Sequence, residues 1–155
     1  MRESLDMAYQ ILGEKKPGAL IIEYNLAELL NNQARYYEAL EYAISTHAKK
    51  IDAFGEKHPY VFLSLDNWAI SLRGLGQLDL ALEKHQQATD GIVAVIGQKH
   101  QYALLVRQHQ MDTFIAADVI SDKIDILNQL ITDLIEVQGE NSESAQRFKQ
   151  LLEHH

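Results

Sequence analysis

Besides the terminal His154 and His155, five histidines are spread along the sequence, and they are the first side chains to consider for metal binding or acid–base chemistry. They are His47, His58, His85, His100 and His109. No two of them lie four residues apart and no His-Glu-x-x-His sequence occurs, so the helical spacing with which paired imidazoles bind zinc is missing. His58 and His100 end the similar segments Gly-Glu-Lys-His and Gly-Gln-Lys-His, which favours a recurring structural role. We therefore predict no native metal site and no cofactor.

Acidic residues and known motifs give no indication of an enzyme. Acidic pairs such as Asp122 and Asp125 fall on helical faces that we expect to be exposed, where a carboxylate is normally solvated. The sequence contains no Gly-x-Ser-x-Gly, no P-loop and no Gly-x-Gly-x-x-Gly. It also has no cysteine, which excludes a thiol nucleophile, a thiolate zinc site and a disulfide scaffold. We predict that the chain is not an enzyme.

Two asparagines stand in matching sequence surroundings. Asn25 lies in the sequence Tyr-Asn-Leu-Ala, and Asn67 lies in the sequence Asp-Asn-Trp-Ala. Asn67 follows Asn25 by 42 residues, the same distance by which His100 follows His58. One equal step beyond Asn67, the corresponding position holds His109.

The residues that break helices follow the same spacing, which is a 42-residue period. Pro17 and Pro59 end the similar segments Gly-Glu-Lys-Lys-Pro and Gly-Glu-Lys-His-Pro, and they are the only two prolines. Four of the eight glycines lie at 13, 55, 97 and 139. A fixed period of this size indicates an array of structural repeats. So few breakers in 155 residues also predict a mostly helical chain.

Each repeat has the pattern of a helix, a turn and a second helix. Apolar residues recur at helical spacing from Pro17 to about Gln33 and again from about Tyr36 to Phe54. A proline suits the first turn of a helix, where its missing N–H costs nothing. Gly55 and Gly97 are expected to end the second helices, and Gly76 is expected to form the turn between two helices.

This pattern resembles the tetratricopeptide repeat. The residues that carry the resemblance are Leu26, Ala27, Leu30, Ala39 and Thr46 in one repeat and Trp68, Ala69, Leu72, Ala81 and Ala88 in the next. The 42-residue length, the Gly-x-Lys-His-Pro loop and the Asn-x-Ala sequence are similar to the long kinesin-light-chain type. The resemblance covers residues 13–97 and weakens after them. It implies an all-α fold, a right-handed superhelical array of antiparallel helix pairs with about seven helices.

The period also predicts how the chain is divided. Residues 1–151 are expected to form one domain: a partial helix at 1–12, repeats at 13–54 and 55–96, a diverged repeat at 97–138, and a partial or capping helix at 139–151. Residues 152–155 look like the remnant of an expression tag. The outer helices are either caps or the cut ends of a longer array, and we favour a piece of a larger protein.

The resemblance implies a concave groove, lined by the first helix of each repeat, that binds an extended peptide or a partner helix. The residues expected to line it are Tyr24, Asn25, Glu28, Asn32, Asp66, Asn67, Arg73, Gln108, His109 and Asp112. The resemblance implies that Asn25 and Asn67 face this groove, where an amide side chain can pair with the C=O and the N–H of an extended peptide backbone. The alternative for the asparagines is that they only bridge adjacent helices. Few lysines or arginines are expected on this face, so a clamp for a carboxyl terminus is not predicted.

One apolar stretch departs from the repeat pattern. Ile120, Ile124, Leu127, Ile131 and Leu134 follow a 4-3-4-3 spacing, which is typical of a coiled-coil seam. A helix this apolar must be covered. The cover could be the helix at 144–151, a missing downstream repeat, or a second copy of the chain, which would make these five residues a homodimer interface.

The overall charge limits the classes of partner. Fourteen basic residues against 22 acidic ones give a net charge of −8, which argues against nucleic acid and anionic membranes. No apolar run approaches the roughly 18 residues of a membrane span, and we expect a cytoplasmic protein. The function predicted is a non-catalytic scaffold that binds a protein or peptide. The alternatives are a regulatory module cut from a larger signalling protein, or a self-association element acting through residues 120–135.

Overall fold

The computed structural model describes residues 2–13 and 16–155, and these residues contain eight α-helices and no strand. The helices are α1 (Arg2–Leu12), α2 (Pro17–Asn32), α3 (Tyr36–Phe54), α4 (Pro59–Gly74), α5 (Leu78–Ile96), α6 (Gln101–Ala116), α7 (Ile124–Gln138) and α8 (Glu143–Glu153), with a 3₁₀ turn at Ile120–Lys123. Each helix packs against the next along the chain, and α4 also packs against α2 and α6. The predicted all-α solenoid of helix pairs is confirmed, with eight helices where about seven were expected.

The turns inside the three helix pairs share one backbone conformation. Ala34, Gly76 and Asp118 stand at equivalent positions of successive repeats and have φ angles of 58°, 77° and 56°. These angles lie in the left-handed region, which only glycine adopts without strain. Gly55 and Gly97 end α3 and α5 at φ 87° and 84°, as predicted. The three turns therefore share one geometry, although only one of them has glycine at this position.

The recurring histidines cap the first helices of two repeats. His58 Nδ1 accepts a hydrogen bond from the Tyr60 N–H at 3.2 Å, and His100 Nδ1 accepts one from the Tyr102 N–H at 3.1 Å. Each bond satisfies a backbone donor that the start of a helix leaves unpaired. The regular spacing of His58 and His100 thus reflects a repeated helix cap.

The apolar core follows the array as three clusters. The first lies between α1, α2 and α3, the second centres on α4, α5 and α6, and the third joins α6, α7 and α8. Fully buried alanines, including Ala27, Ala39, Ala69, Ala81 and Ala88, let neighbouring helices approach closely. None of the helices in the described part of the chain is long and apolar enough to cross a membrane.

Gly91 provides a test of this close packing. A Cβ atom added to Gly91 would overlap the ring of Phe62, which packs against the second cluster. Helix propensity alone would make Gly91→Ala stabilising by about 1 kcal/mol. We expect instead a loss of about 1–3 kcal/mol in the free energy of unfolding, measured by urea denaturation, because the added methyl group overpacks the site.

Two variants separate the clash from helix propensity. Ala94→Gly, at an exposed position of the same helix, should cost about 1 kcal/mol through propensity alone. Adding Phe62→Leu to Gly91→Ala should remove much of the penalty, since the ring is what the methyl group meets. A stabilised Gly91→Ala single variant would contradict this description of the α4–α5 contact.

Candidate functional site

All ten residues expected to line the groove lie on the three first helices, α2, α4 and α6, but they differ in accessibility. Three are exposed, Asn25, Glu28 and Asn32; five are half-buried, Tyr24, Arg73, Gln108, His109 and Asp112; and two are buried, Asp66 and Asn67. Because α4 packs against both α2 and α6, it forms the middle of this surface. The site therefore consists of a buried polar layer on α4 and more accessible polar groups on either side of it.

Asp66 is the centre of the buried layer. Its side chain is 1% exposed, and its two carboxylate oxygens accept hydrogen bonds from His85 Nε2 at 2.8 Å and from His109 Nδ1 at 2.7 Å. On the far side of its ring, His85 Nδ1 lies 2.8 Å from Thr113 Oγ1. Asp66 is thus occupied inside the protein, where it ties α4 to α5 and α6.

The charges of this network are coupled. Burial by itself raises the pKa of Asp66, but the charge and hydrogen bond of His109, together with His85, outweigh it and hold that pKa below its ordinary value. Burial likewise disfavours protonation of His109, but the Asp66 carboxylate raises the pKa of His109 above its ordinary value. Asp66 is therefore held as a carboxylate, and His109 is favoured as an imidazolium.

One ring nitrogen of His109 has no hydrogen-bond partner among the described residues. Its Nδ1 is bound to Asp66, whereas none of the hydrogen bonds among the described residues uses its Nε2. Its side chain is 27% exposed. A protonated imidazole held from one side by a carboxylate presents its other N–H as an oriented donor. No group of three or more His, Asp or Glu side chains within residues 2–13 and 16–155 is arranged to hold a metal ion.

Asn67 is buried, and its side-chain nitrogen has no hydrogen-bond partner in the part of the chain that the structure describes. The residue is 3% exposed, and Nδ2 is one of the two such buried side-chain atoms found there. Leaving a buried donor unpaired costs about 1–3 kcal/mol, so such a group calls for an explanation. Asn25 differs, since its side chain is exposed.

Besides the Asp66–His109 contact, Asn31 and Arg73 bridge neighbouring repeats, a role that the sequence did not indicate for them. Asn31 Nδ2 donates to the carbonyl of Asn67 at 3.3 Å, and Arg73 donates to the carbonyl of His109 at 3.0 Å. Asn31 and Arg73 occupy equivalent positions of successive repeats, and each reaches 36 residues forward into the next repeat. The signal that could have found them is a long polar donor at the same position of two repeats.

Ser71 and Thr113 complete these bridges at another pair of repeat-equivalent positions. Ser71 Oγ donates to Asn31 Oδ1 at 2.9 Å, and Thr113 Oγ1 accepts from Arg73 at 3.0 Å. The guanidinium of Arg73, which was expected to line the groove, is therefore hydrogen-bonded to the next repeat. Asp112 likewise pairs with Arg147 of α8.

Of the five remaining expected residues, Tyr24 packs against the Lys50 ammonium, and the other four have polar groups without partners among the described residues. The side chains of Asn25, Glu28, Asn32 and Gln108 take part in none of the hydrogen bonds found among the described residues. Together with His109 Nε2, they supply amide donors, amide acceptors, one carboxylate and one cationic donor, whereas Asn67 Nδ2 is buried. This is the chemistry needed to pair with a polypeptide backbone.

The apolar seam expected to support self-association is covered from within the chain. Ile120, Leu127, Ile131 and Leu134 are buried and Ile124 is half-buried, all in the third core cluster. The cover comes from α6 and from α8, whose Phe148 is fully buried there. Of the three covers that the sequence allowed, the structure therefore shows the helix expected at 144–151. The helix runs on to Glu153, and Leu152, in the segment expected to be a tag, packs against the same cluster.

Comparisons with known proteins agree with this architecture. A family model described as tetratricopeptide repeat matches residues 18–91. Two crystal structures of a kinesin-light-chain-like protein from Podosopora anserina with nearly identical TPR-like repeats, one of them a substituted variant, match with TM-scores of 0.78 and 0.76. Each is 18% identical, and each match covers 99% of this chain and 72% of the other. No curated protein matches the sequence. Residues 18–91 therefore match the tetratricopeptide-repeat family model, and the chain has the fold of a kinesin-light-chain-like repeat array.

Proposed function

We propose that this protein is a non-catalytic scaffold that binds an extended peptide segment of a protein partner across α2, α4 and α6. Tetratricopeptide repeats in general mediate protein–protein interaction. The observation that carries the proposal is the buried Asn67 Nδ2, a donor with no partner among the described residues. Because Asn67 Nδ2 is itself buried, the amide would turn toward the groove to meet a bound backbone carbonyl, and the new hydrogen bond would recover the free energy that the unpaired donor costs.

The spacing of the polar groups suits an extended backbone. Asn67 on α4 and His109 on α6 are repeat-equivalent, and packed helices lie about 8–10 Å apart. An extended chain advances about 3.3 Å per residue, so a peptide crossing these helices would present about every third residue to the next one. Because amides and an imidazolium read the backbone, this binding would tolerate varied side chains.

The test begins with a peptide selected on the whole chain from a phage-displayed library of random peptides. Asn67→Ala should weaken binding of that peptide about fivefold to tenfold, measured by isothermal titration calorimetry, because one hydrogen bond is lost. The same substitution should change the free energy of unfolding by less than about 1 kcal/mol, since the Asn67 amide nitrogen has no partner among the described residues to lose.

Asn128→Ala is the matched control. Asn128 is exposed on α7, outside the three helices of the proposed groove, and its replacement should leave both affinity and stability unchanged. Unchanged peptide affinity in Asn67→Ala would remove the main support for the proposal. A loss of stability as large as the loss of binding free energy would assign Asn67 a structural role instead.

A further inference from the structure

A second feature of the structure is a partly enclosed cavity of about 260 Å³. It lies where the first turns of α2, α4 and α6 meet the last turns of α3. Its walls are mostly aromatic and aliphatic, with Tyr24, Lys50, Phe54, Tyr60, Tyr102 and Leu105 among the residues that line it. Apolar walls with a few polar groups are typical of sites for small molecules.

The charged group in these walls is the ammonium of Lys50. The residue is only 4% exposed, and its Nζ lies 4.3 Å from the ring centre of Tyr24 and 5.7 Å from that of Tyr60. It donates one hydrogen bond, to the Tyr60 carbonyl at 3.3 Å. An ammonium has three donors, so two have no hydrogen-bond partner among the described residues and could bind a ligand.

Lys50 has no carboxylate partner within the described part of the chain. The nearby Glu23 is paired with Lys49 instead, at 3.2 Å. Burial lowers the pKa of Lys50 to about 8, although the charge of Glu23 acts in the opposite direction. A buried cation without a counter-ion is costly, and an arriving anion would relieve that cost.

We infer that this cavity binds a small free carboxylic acid with an apolar body, whose carboxylate pairs with the Lys50 ammonium. The apolar body displaces water from the aromatic walls, and the anion supplies the missing counter-charge. The volume corresponds to roughly eight or nine water molecules, at about 30 Å³ each. That limits the ligand to a single ring or a short branched chain.

The test uses 3-phenylpropanoate and its neutral analogue 3-phenylpropanamide, titrated into the whole chain and followed by NMR. The acid should bind with a dissociation constant on the order of 1 mM or lower, given about eleven non-hydrogen atoms. The amide should bind at least about fivefold more weakly, because it cannot form the charged pair. Equal affinities of the acid and the amide would overturn the inference.

Two variants locate the binding. Lys50→Met keeps the apolar stem and should reduce the affinity of the acid to that of the amide. The control Lys57→Met, in the exposed loop between α3 and α4, should change neither affinity. Leu105→Trp, at a cavity-lining residue that is 36% exposed, should fill the space and weaken both ligands at least about fivefold. Unchanged binding of the acid in Lys50→Met or in Leu105→Trp would also contradict the inference.

A last set of titrations distinguishes a free acid from the carboxyl terminus of a peptide as the ligand of the cavity. It also tests the cavity and the groove separately. Gly-Gly-Phe with a free carboxyl terminus should bind more weakly than 3-phenylpropanoate, because the cavity holds only the ring and its carboxylate. Tighter, Lys50-dependent binding of the tripeptide would overturn the assignment to a free acid. The library-selected peptide should bind Lys50→Met with unchanged affinity, so the groove and the cavity can fail independently.

Discussion

Replacing Asp66 by asparagine is expected to lower the free energy of unfolding by about 3 kcal/mol near pH 5.5. The carboxylate is buried and holds His85 at 2.8 Å and His109 at 2.7 Å, so its loss leaves His109 without its counter-charge. Urea denaturation followed by circular dichroism measures the change. Few single substitutions on α4 should cost as much, because this side chain joins three helices.

The effect should depend on pH in a defined window. Because the pKa of Asp66 is lowered in the folded protein, its contribution is present above the ordinary value of 3.8 and is lost as the pH falls through the folded value. Because the pKa of His109 is raised, its contribution is present below 6.5 and is lost as the pH rises through the folded value. The difference between the wild type and Asp66→Asn should therefore be greatest between about pH 4 and 6.5.

Asp90→Asn serves as the matched control. Asp90 is exposed on α5, and its bond from Gln86 at 2.8 Å can be kept by the asparagine oxygen, so the change should stay within about 0.5 kcal/mol. A difference between the wild type and Asp66→Asn that stays constant from pH 4 to pH 8 would show that the ion pair with His109 does not stabilise the fold.

Phe148→Ala is expected to cost about 3–5 kcal/mol of unfolding free energy. The ring is fully buried in the third cluster, where α8 covers the seam of α7. Loss of the ring leaves a cavity and weakens the docking of α8. Because Leu127, Ile131 and Leu134 would then be uncovered more often, the variant should also self-associate with increasing concentration, which sedimentation velocity can follow.

Ile126→Ala is the control for this prediction on the same helix. Ile126 lies on α7 one residue before Leu127, but its side chain is 41% exposed, so truncation should cost at most about 1 kcal/mol and cause no association. If Phe148→Ala were no more destabilising than Ile126→Ala, α8 would not be the cover of the seam.

The sequence by itself determined the period, the fold class and most helix ends, because these depend on local signals. Pro17 and Pro59 begin α2 and α4, and Gly55 and Gly97 end α3 and α5, as predicted. Proline fixes φ and glycine allows a positive φ whatever the distant surroundings are. The apolar spacing between such breakers then defines helices that must pack in pairs.

Only the tertiary structure determined which polar groups are hydrogen-bonded inside the protein and which have no partner among the described residues. Asp66 and Asn67 are neighbours in the sequence, yet one is fully paired and the other keeps a buried donor unpaired among the described residues. No sequence pattern marked Lys50 as a binding residue, because its cavity forms only where α2, α3, α4 and α6 converge. The physical reason is that the hydrogen-bonding partners lie far apart along the chain. Asp66 and His85 are separated by 19 residues, and Arg73 and His109 by 36 residues. Packing alone brings such groups within hydrogen-bonding distance, and no local pattern records it.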